Sequence, residues 1–251
     1  FLTGEGFFIK QHIMKRSILL LAFLLVCLSA KAHYMWLEVP TSARVNTQQT
    51  VKVFMGEYTY GVIEEVAGET FQSAKKFTLW AVSPAGKKSR LSIEQKENHF
   101  TAAFTPKEEG TYTFFLNNNE IDVIDYTQYD FGIFKTHYHA VAQMNVGDKV
   151  GATTIHNPEG ITVKSLSTDA NKIKLQVFYK GEPLANHETK TYISDQWAKE
   201  SWTNEEGIIE TTLPWPGEKY IVEVTKKEEV PGRYNGEDYE FIWHCVTYTK
   251  P

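Results

Sequence analysis

The stretch IKLQVFYKGEP, residues 173–183, decides the fold class of this chain. From Ile173 to Tyr179, apolar and polar side chains alternate with a period of two, which is typical of a β-strand with one buried face. The residues that follow, Lys180-Gly181-Glu182-Pro183, have the chemistry of a turn. This stretch therefore predicts a strand that ends in a turn.

The same combination recurs along most of the chain and predicts an all-β protein, with turn signals about every ten residues. A less regular zone, residues 145–171, suggests a domain boundary near Pro158. We expect two consecutive β-sandwich domains of the Ig-like or transthyretin-like kind: an N-terminal domain over residues 33–157 and a C-terminal, carboxypeptidase-regulatory-like domain over residues 158–251. The other alternating runs are Thr50–Phe54, Phe77–Val82, His99–Phe104, Thr111–Leu116, Ile208–Leu213, Lys219–Val224 and Tyr239–Tyr248.

Residues 14–32 have the three-part layout of a secretory signal peptide. Lys15 and Arg16 form the charged start, an apolar run extends to Leu28, and Ala30-Lys31-Ala32 is a small-x-small cleavage site. We expect cleavage after Ala32, a mature protein that begins at His33, and export to the periplasm of a Gram-negative-type envelope. The mature chain has no segment that could span a membrane as a helix. Residues 1–13 are interpreted as an upstream extension of the gene model.

The charge of the chain argues against nucleic acid as a partner, and its cysteine content bears on disulfide bonding. The formal net charge of the whole chain is −5, and the predicted signal segment carries more basic than acidic residues, so the mature chain is more acidic still. Nucleic acid is therefore not an expected partner, because phosphate binding needs a basic patch. Only Cys245 remains after cleavage, which excludes an internal disulfide from the mature chain.

Three stretches together resemble a known family: the start HYMWLE at residues 33–38, the turn GEPLAN at residues 181–186, and TNEEG at residues 203–207 followed by PWPG at residues 214–217. In this order they resemble the exported, periplasmic component of cobalt or nickel uptake systems. The resemblance implies a role in handling divalent metals, with an inner-membrane metal transporter as partner. It also implies a transthyretin-like or collagen-adhesin-B-like second domain.

His33 is the first candidate metal ligand. Cleavage after Ala32 would give this residue both a free α-amino group and an imidazole, and the two nitrogens can chelate one ion. Imidazole suits Ni, Co, Cu and Zn, and an α-amino group titrates near 8. The alternative is that His33 is only the exposed end of an edge strand.

His137 and His139 are the other candidate ligands, giving a predicted metal set of His33, His137 and His139 for Ni, Co or Cu. In a strand, residues two apart project from the same face, so both imidazoles could reach one ion. The alternative is a solvated strand with two surface histidines. Asp122 and Asp125 are possible extra ligands. His244 and Cys245 point to opposite faces of the last strand and are left out of the site.

No catalytic motif is present, so we do not expect an enzyme: the chain lacks Gly-x-Ser-x-Gly, a phosphate-binding Gly loop and His-Glu-x-x-His. The first hypothesis is a periplasmic protein that binds a transition metal and delivers it for uptake. The second is an interaction module that binds a protein or glycan, with Trp197, Trp202 and Trp215 as contacts. A third is a copper oxygenase that holds copper through an N-terminal His and one further His.

Overall fold

The alternating runs form strands, and the predicted all-β sandwich class is confirmed. The computed structural model describes residues 33–149, 157–167, 169, 171–194 and 197–250, so the predicted signal peptide lies outside the described residues. The strands up to residue 149 are β1 (Tyr34–Glu38), β2 (Ser42–Ala43), β3 (Gln49–Glu57), β4 (Val62–Ile63), β5 (Thr78–Val82), β6 (Lys88–Arg90), β7 (Glu94–Gln95), β8 (Phe100–Phe104), β9 (Gly110–Asn118), β10 (Ile124–Asp125) and β11 (Ile133–Val146).

Ten more strands follow in the described part of the chain after residue 156. They are β12 (Ile161–Ser165), β13 (Lys172–Tyr179), β14 (Glu182–Pro183), β15 (Glu188–Tyr192), β16 (Ala198–Trp202), β17 (Ile208–Thr212), β18 (Tyr220–Glu228), β19 (Gly232–Tyr234), β20 (Glu237–Tyr239) and β21 (Phe241–Lys250). Across all of the described residues, helical structure is limited to the short helix α1 (Glu69–Ser73) and two 3-10 turns, Tyr58–Tyr60 and Thr127–Tyr129. No helix among the described residues is long and apolar enough to cross a membrane.

One long sheet runs through both halves of the chain. Its order is β16-β15-β18-β21-β11-β9-β5-β6, with β2 and β10 also paired to β11. The 14-residue strand β11 connects the halves, because Phe134–Ala142 pairs in parallel with β21 while Gln143–Val146 pairs antiparallel with β9. Residues His33–Pro251 form one compact unit. The predicted division into two domains at residues 157/158 stays a prediction.

Two smaller sheets cover the long sheet and enclose separate apolar cores. The sheet β1-β3-β8-β7 packs with β9 and β11 around Leu37, Val53 and Leu116, all fully buried. The sheet β12-β13-β14, with β17 beside β13, packs with β18 and β21 around Leu175 and Val246. The longer strands of these sheets have one face in a core, as the period-two pattern requires, whereas the two-residue edge strands β7 and β14 are exposed.

Side-chain hydrogen bonds fix the first strand against the long sheet. The Thr247 hydroxyl donates to the backbone carbonyl of Met35 over 2.7 Å, and the Tyr138 hydroxyl donates to that of His33 over 2.8 Å. The Lys219 ammonium forms an ion pair with Glu38 at the far end of β1. His33, which directly precedes β1, is thereby held beside the centre of the long sheet.

Candidate metal centre

Two tight strand pairings bring two carboxylates to His33. β1 pairs antiparallel with β3, with Tyr34 opposite Gly56, so His33 lies beside the end of β3, where Glu57 is located. β3 then turns back into β4, with Gly56 opposite Ile63. A Cβ on Gly56 would lie 2.2 Å from the Val62 carbonyl oxygen, so only glycine allows this approach. The turn places Glu64 on the other side of the His33 ring.

Each ring nitrogen of His33 faces one of these carboxylates. Nε2 lies 2.6 Å from Oε1 of Glu64, a hydrogen-bond distance, whereas Nδ1 lies 3.7 Å from Oε1 of Glu57, which is too long for a hydrogen bond. The carboxylate of Glu64 accepts the proton of Nε2, and in the neutral ring the lone pair then belongs to Nδ1. The lone pair of His33 is therefore on the side of Glu57.

Glu57 is the unusual member of this group. Its exposed fraction is only 5%, and its Oε1 has no hydrogen-bond partner among the described residues. A buried carboxylate without donors is costly unless it is paired or binds a cation. The His33 side chain is 19% exposed, which leaves a route from solvent to this oxygen.

His139 is bound within the protein through both ring nitrogens. Nδ1 contacts Oδ1 of Asn117 on β9, and Nε2 lies 2.9 Å from the hydroxyl of Thr162 on β12. The residue is 2% exposed. Because both ring nitrogens are hydrogen-bonded, neither is available to bind a metal. His139 is a buried core histidine that connects β11 with β9 and β12.

His137 lies beside His244 instead. The parallel register places the two residues directly opposite each other on β11 and β21, with their ring centroids 5.1 Å apart. Burial, followed by the neighbouring charges of His244 and Lys135, lowers the pKa of His137 to about 4. The pKa of His244 is also lowered, chiefly by burial.

The three predicted ligands do not converge in the structure. Tyr138 points toward His33, so its neighbours His137 and His139 project from the opposite face of β11. Across the described ranges, no group of three or more His, Cys, Asp or Glu side chains is arranged to hold a metal. The second His of a copper brace is likewise not supplied to His33 by His137 or His139.

His244 and Cys245 lie on opposite faces of β21, as neighbours in a strand are predicted to do. Cys245 packs with Tyr34 and Trp36, whereas His244 lies on the face of Val246 and donates from Nε2 to Oε2 of Glu228 over 2.8 Å. Burial alone raises the pKa of the Glu228 carboxyl, but hydrogen bonds from Lys180, His244 and Tyr179 outweigh burial and hold it at about 2.

The possible extra ligands Asp122 and Asp125 make local hydrogen bonds, and the candidate contact tryptophans differ in their surroundings. Asp125 accepts hydrogen bonds from the backbone and hydroxyl of Thr127, which lower the pKa of its carboxyl, and Asp122 accepts one from Asn235. Trp202 is 60% exposed on the edge strand β16. The rings of Trp197 and Trp215 contact each other, with centroids 5.5 Å apart.

No protein-family model matches this chain, and no curated protein matches it either. Among solved structures, it is similar to the CARDB domain of a Pyrococcus furiosus protein in complex with di-metal ions. The identity is 14% and the TM-score 0.25, with 48% of this chain and 94% of that chain covered. This likeness is too low to carry a functional argument. The resemblance to the cobalt and nickel uptake component therefore depends on its three sequence stretches alone.

Proposed function

We propose that this chain is an exported, non-enzymatic protein that binds one divalent transition-metal ion at His33 and delivers it to a transporter in the inner membrane. The ligands are the α-amino nitrogen and Nδ1 of His33, together with Oε1 of Glu57. Export supplies the amino group, since cleavage after Ala32 makes His33 the first residue.

The observation that carries the proposal is the position of the buried Glu57 oxygen. Two ligand atoms that each lie about 2.0–2.1 Å from one tetrahedral ion are about 3.3 Å apart. Oε1 of Glu57 and Nδ1 of His33 are 3.7 Å apart, so a shift of a few tenths of an ångström would suit a shared ion. A cation there would also compensate the carboxylate oxygen that has no donor.

Glu64 supports this assignment from outside the ligand shell. Histidines that bind metals commonly donate their second ring N–H to a carboxylate, which fixes the tautomer and the ring orientation. The 2.6 Å contact from Nε2 to Glu64 has this form. It leaves Nδ1 as the ligating nitrogen, and Nδ1 is the nitrogen that can chelate together with the α-amine of the same residue.

The ligand set also indicates how an ion could be released. Two nitrogens and one carboxylate suit Ni(II), Co(II) or Cu(II) and leave further coordination positions for water or for a receiving ligand. Such open positions permit exchange with a transporter, which a closed four-ligand structural site does not.

Isothermal titration calorimetry with Ni(II), Co(II) and Cu(II) tests the proposal. A chain that begins at His33 should bind one equivalent, and Glu57→Gln should bind at least tenfold more weakly. The matched control has its α-amine acetylated, which keeps the imidazole but turns the amine of His33 into an amide and adds no new amine, and it should also lose at least tenfold. Equal affinity in all three proteins would refute the site. N-terminal sequencing of the exported protein checks the cleavage position.

An interaction module without metal is the second candidate, and the exposed Trp202 on an edge strand favours it. If the chain beginning at His33 keeps none of these metals after dialysis, this second function takes precedence.

A further inference from the structure

A second pair of imidazoles lies on the opposite face of the long sheet from His33. His137 and His244 are adjacent in the parallel register of β11 and β21, and their rings meet edge to face at 89°. The ring of His137 makes no hydrogen bond within the part of the chain that the structure describes. The pair has no residue in common with the proposed site at His33, Glu57 and Glu64.

His244 carries a buried nitrogen without a partner. The residue is 1% exposed, and Nδ1 has no hydrogen-bond partner among the described residues. Because Nε2 donates to the Glu228 carboxylate, Nδ1 of the neutral ring carries a lone pair. This carboxylate–histidine arrangement is the one that orients metal-binding imidazoles.

Gly160 keeps a side chain away from this nitrogen. A Cβ at Gly160 would lie 3.2 Å from Nδ1 of His244, which is tighter than an ordinary contact. Nδ2 of Asn157 lies 2.7 Å from the same Cβ position, so the Gly160 backbone and the Asn157 side chain border this nitrogen, and any larger residue at position 160 would crowd a ligand bound to Nδ1.

We propose that His137 and Nδ1 of His244 bind a single Cu(I) ion. Two imidazoles bound to one tetrahedral ion, with metal–nitrogen bonds of about 2.0 Å, have ring centroids about 5 Å apart. The observed separation is 5.1 Å. At this bent angle the ion keeps one or two further positions for a small exogenous ligand, and Cu(I) accepts such three- or four-coordinate nitrogen sites.

The surrounding charges favour an ion of low charge. Glu228 is already paired with Lys180, and Lys226 lies over the Tyr179 ring at 4.9 Å, close to the same group. Lys135 is two residues from His137 on the same face of β11. With one carboxylate against three ammonium groups, a dication is repelled more strongly than a monocation.

Anaerobic titration with Cu(I) against a chromophoric chelator tests the pair. The protein carries His33→Ala and Glu57→Gln, so the site of the proposed function cannot contribute. We expect one equivalent of Cu(I), and at least tenfold weaker binding after a further His137→Gln or His244→Gln. The matched control is His99→Gln, whose ring contacts Asn98 and Phe54 elsewhere in the molecule and should leave binding unchanged.

Circular dichroism of each variant separates loss of binding from loss of folding, and the partly exposed His137 provides the deciding variant if His244→Gln does not fold. Unchanged Cu(I) affinity in folded His137→Gln overturns the proposal. Binding of Zn(II) or Ni(II) at the pair as tightly as Cu(I) overturns the choice of ion. Neither result bears on the His33 site, which is absent from this background.

Discussion

For His33, the sequence predicts a metal ligand but not the two carboxylates that lie beside its ring. The signal-peptide layout made it a candidate ligand, and this needed no contact information. Its structural neighbours Glu57 and Glu64 were not predicted, since Glu64 is 31 residues away and reaches the ring only through the β3–β4 turn. Such a contact has no signal in spacing, because it depends on the register of two strand pairs.

His244 was excluded for a sound local reason that did not decide its role. It could not share an ion with Cys245, because neighbours in a strand point to opposite faces. Its actual neighbour, His137, is fixed by a parallel pairing that joins residues 107 positions apart in sequence. Periodicity predicts the face of a residue but not the strand beside it.

At the residue scale, Glu57→Gln should make the metal-free protein more stable, by about 1 kcal/mol. The variant replaces a buried carboxylate, whose Oε1 has no hydrogen-bond donor among the described residues, with a neutral amide, and burying an uncompensated charge is costly. Urea unfolding in the presence of a chelator measures the difference. A clear loss of stability would mean that this carboxylate is already compensated without metal.

His137 should make the metal-free protein less stable in acid. Its folded pKa is about 4, below the value near 6.5 of an unfolded histidine, so the unfolded state binds more protons between these values. The contribution is fully present above pH 6.5 and is lost as the pH falls from 6.5 toward 4. It amounts to no more than about 3 kcal/mol.

Urea unfolding at intervals between pH 4 and 7 measures this dependence. His137→Gln should show a flatter profile than the unaltered protein over the same interval. Parallel profiles for the two proteins would contradict the lowered pKa.

At the element scale, the period-two pattern of the sequence predicts those strands that have one buried face. Thr111–Leu116 and Ile173–Tyr179, for example, fall within β9 and β13. The central strand β11 was not among the alternating runs, because it is covered on both faces by the two smaller sheets. Buried residues therefore lie on both of its faces, and none of its residues is exposed, so the period-two contrast disappears.

The hydrogen bond that holds β1 against β21 predicts different effects for substitutions at two threonines of β21. Thr247→Val removes the donor to the Met35 carbonyl and leaves that buried acceptor unpaired, which should cost about 1–3 kcal/mol. Thr249 is equally buried, but its hydroxyl has no hydrogen-bond partner among the described residues. Thr249→Val is therefore the matched control and should be neutral or slightly stabilising.

Thermal unfolding of both variants provides the measurement. If Thr247→Val and Thr249→Val shift the unfolding midpoint equally, the Met35 contact does not hold β1 in place.

At the scale of the whole molecule, the sheet shared by the two halves should make them unfold together. Leu116 lies in one core and Leu175 in the other, and both are fully buried. Leu→Ala at either position should cost about 2–5 kcal/mol and lower the midpoint of the same single transition. Calorimetry showing two transitions, with each variant moving only one of them, would support independent domains instead.

The most direct test of the central claim is the position of the ion in crystals of the protein beginning at His33, grown with Ni(II), Co(II) or Cu(II) and measured at the metal absorption edge. We predict an anomalous peak about 2 Å from both Nδ1 and the α-amine of His33, with Oε1 of Glu57 also within bonding distance. A peak bound to Nε2 and Glu64, or no peak near His33 at saturating metal, would contradict this account.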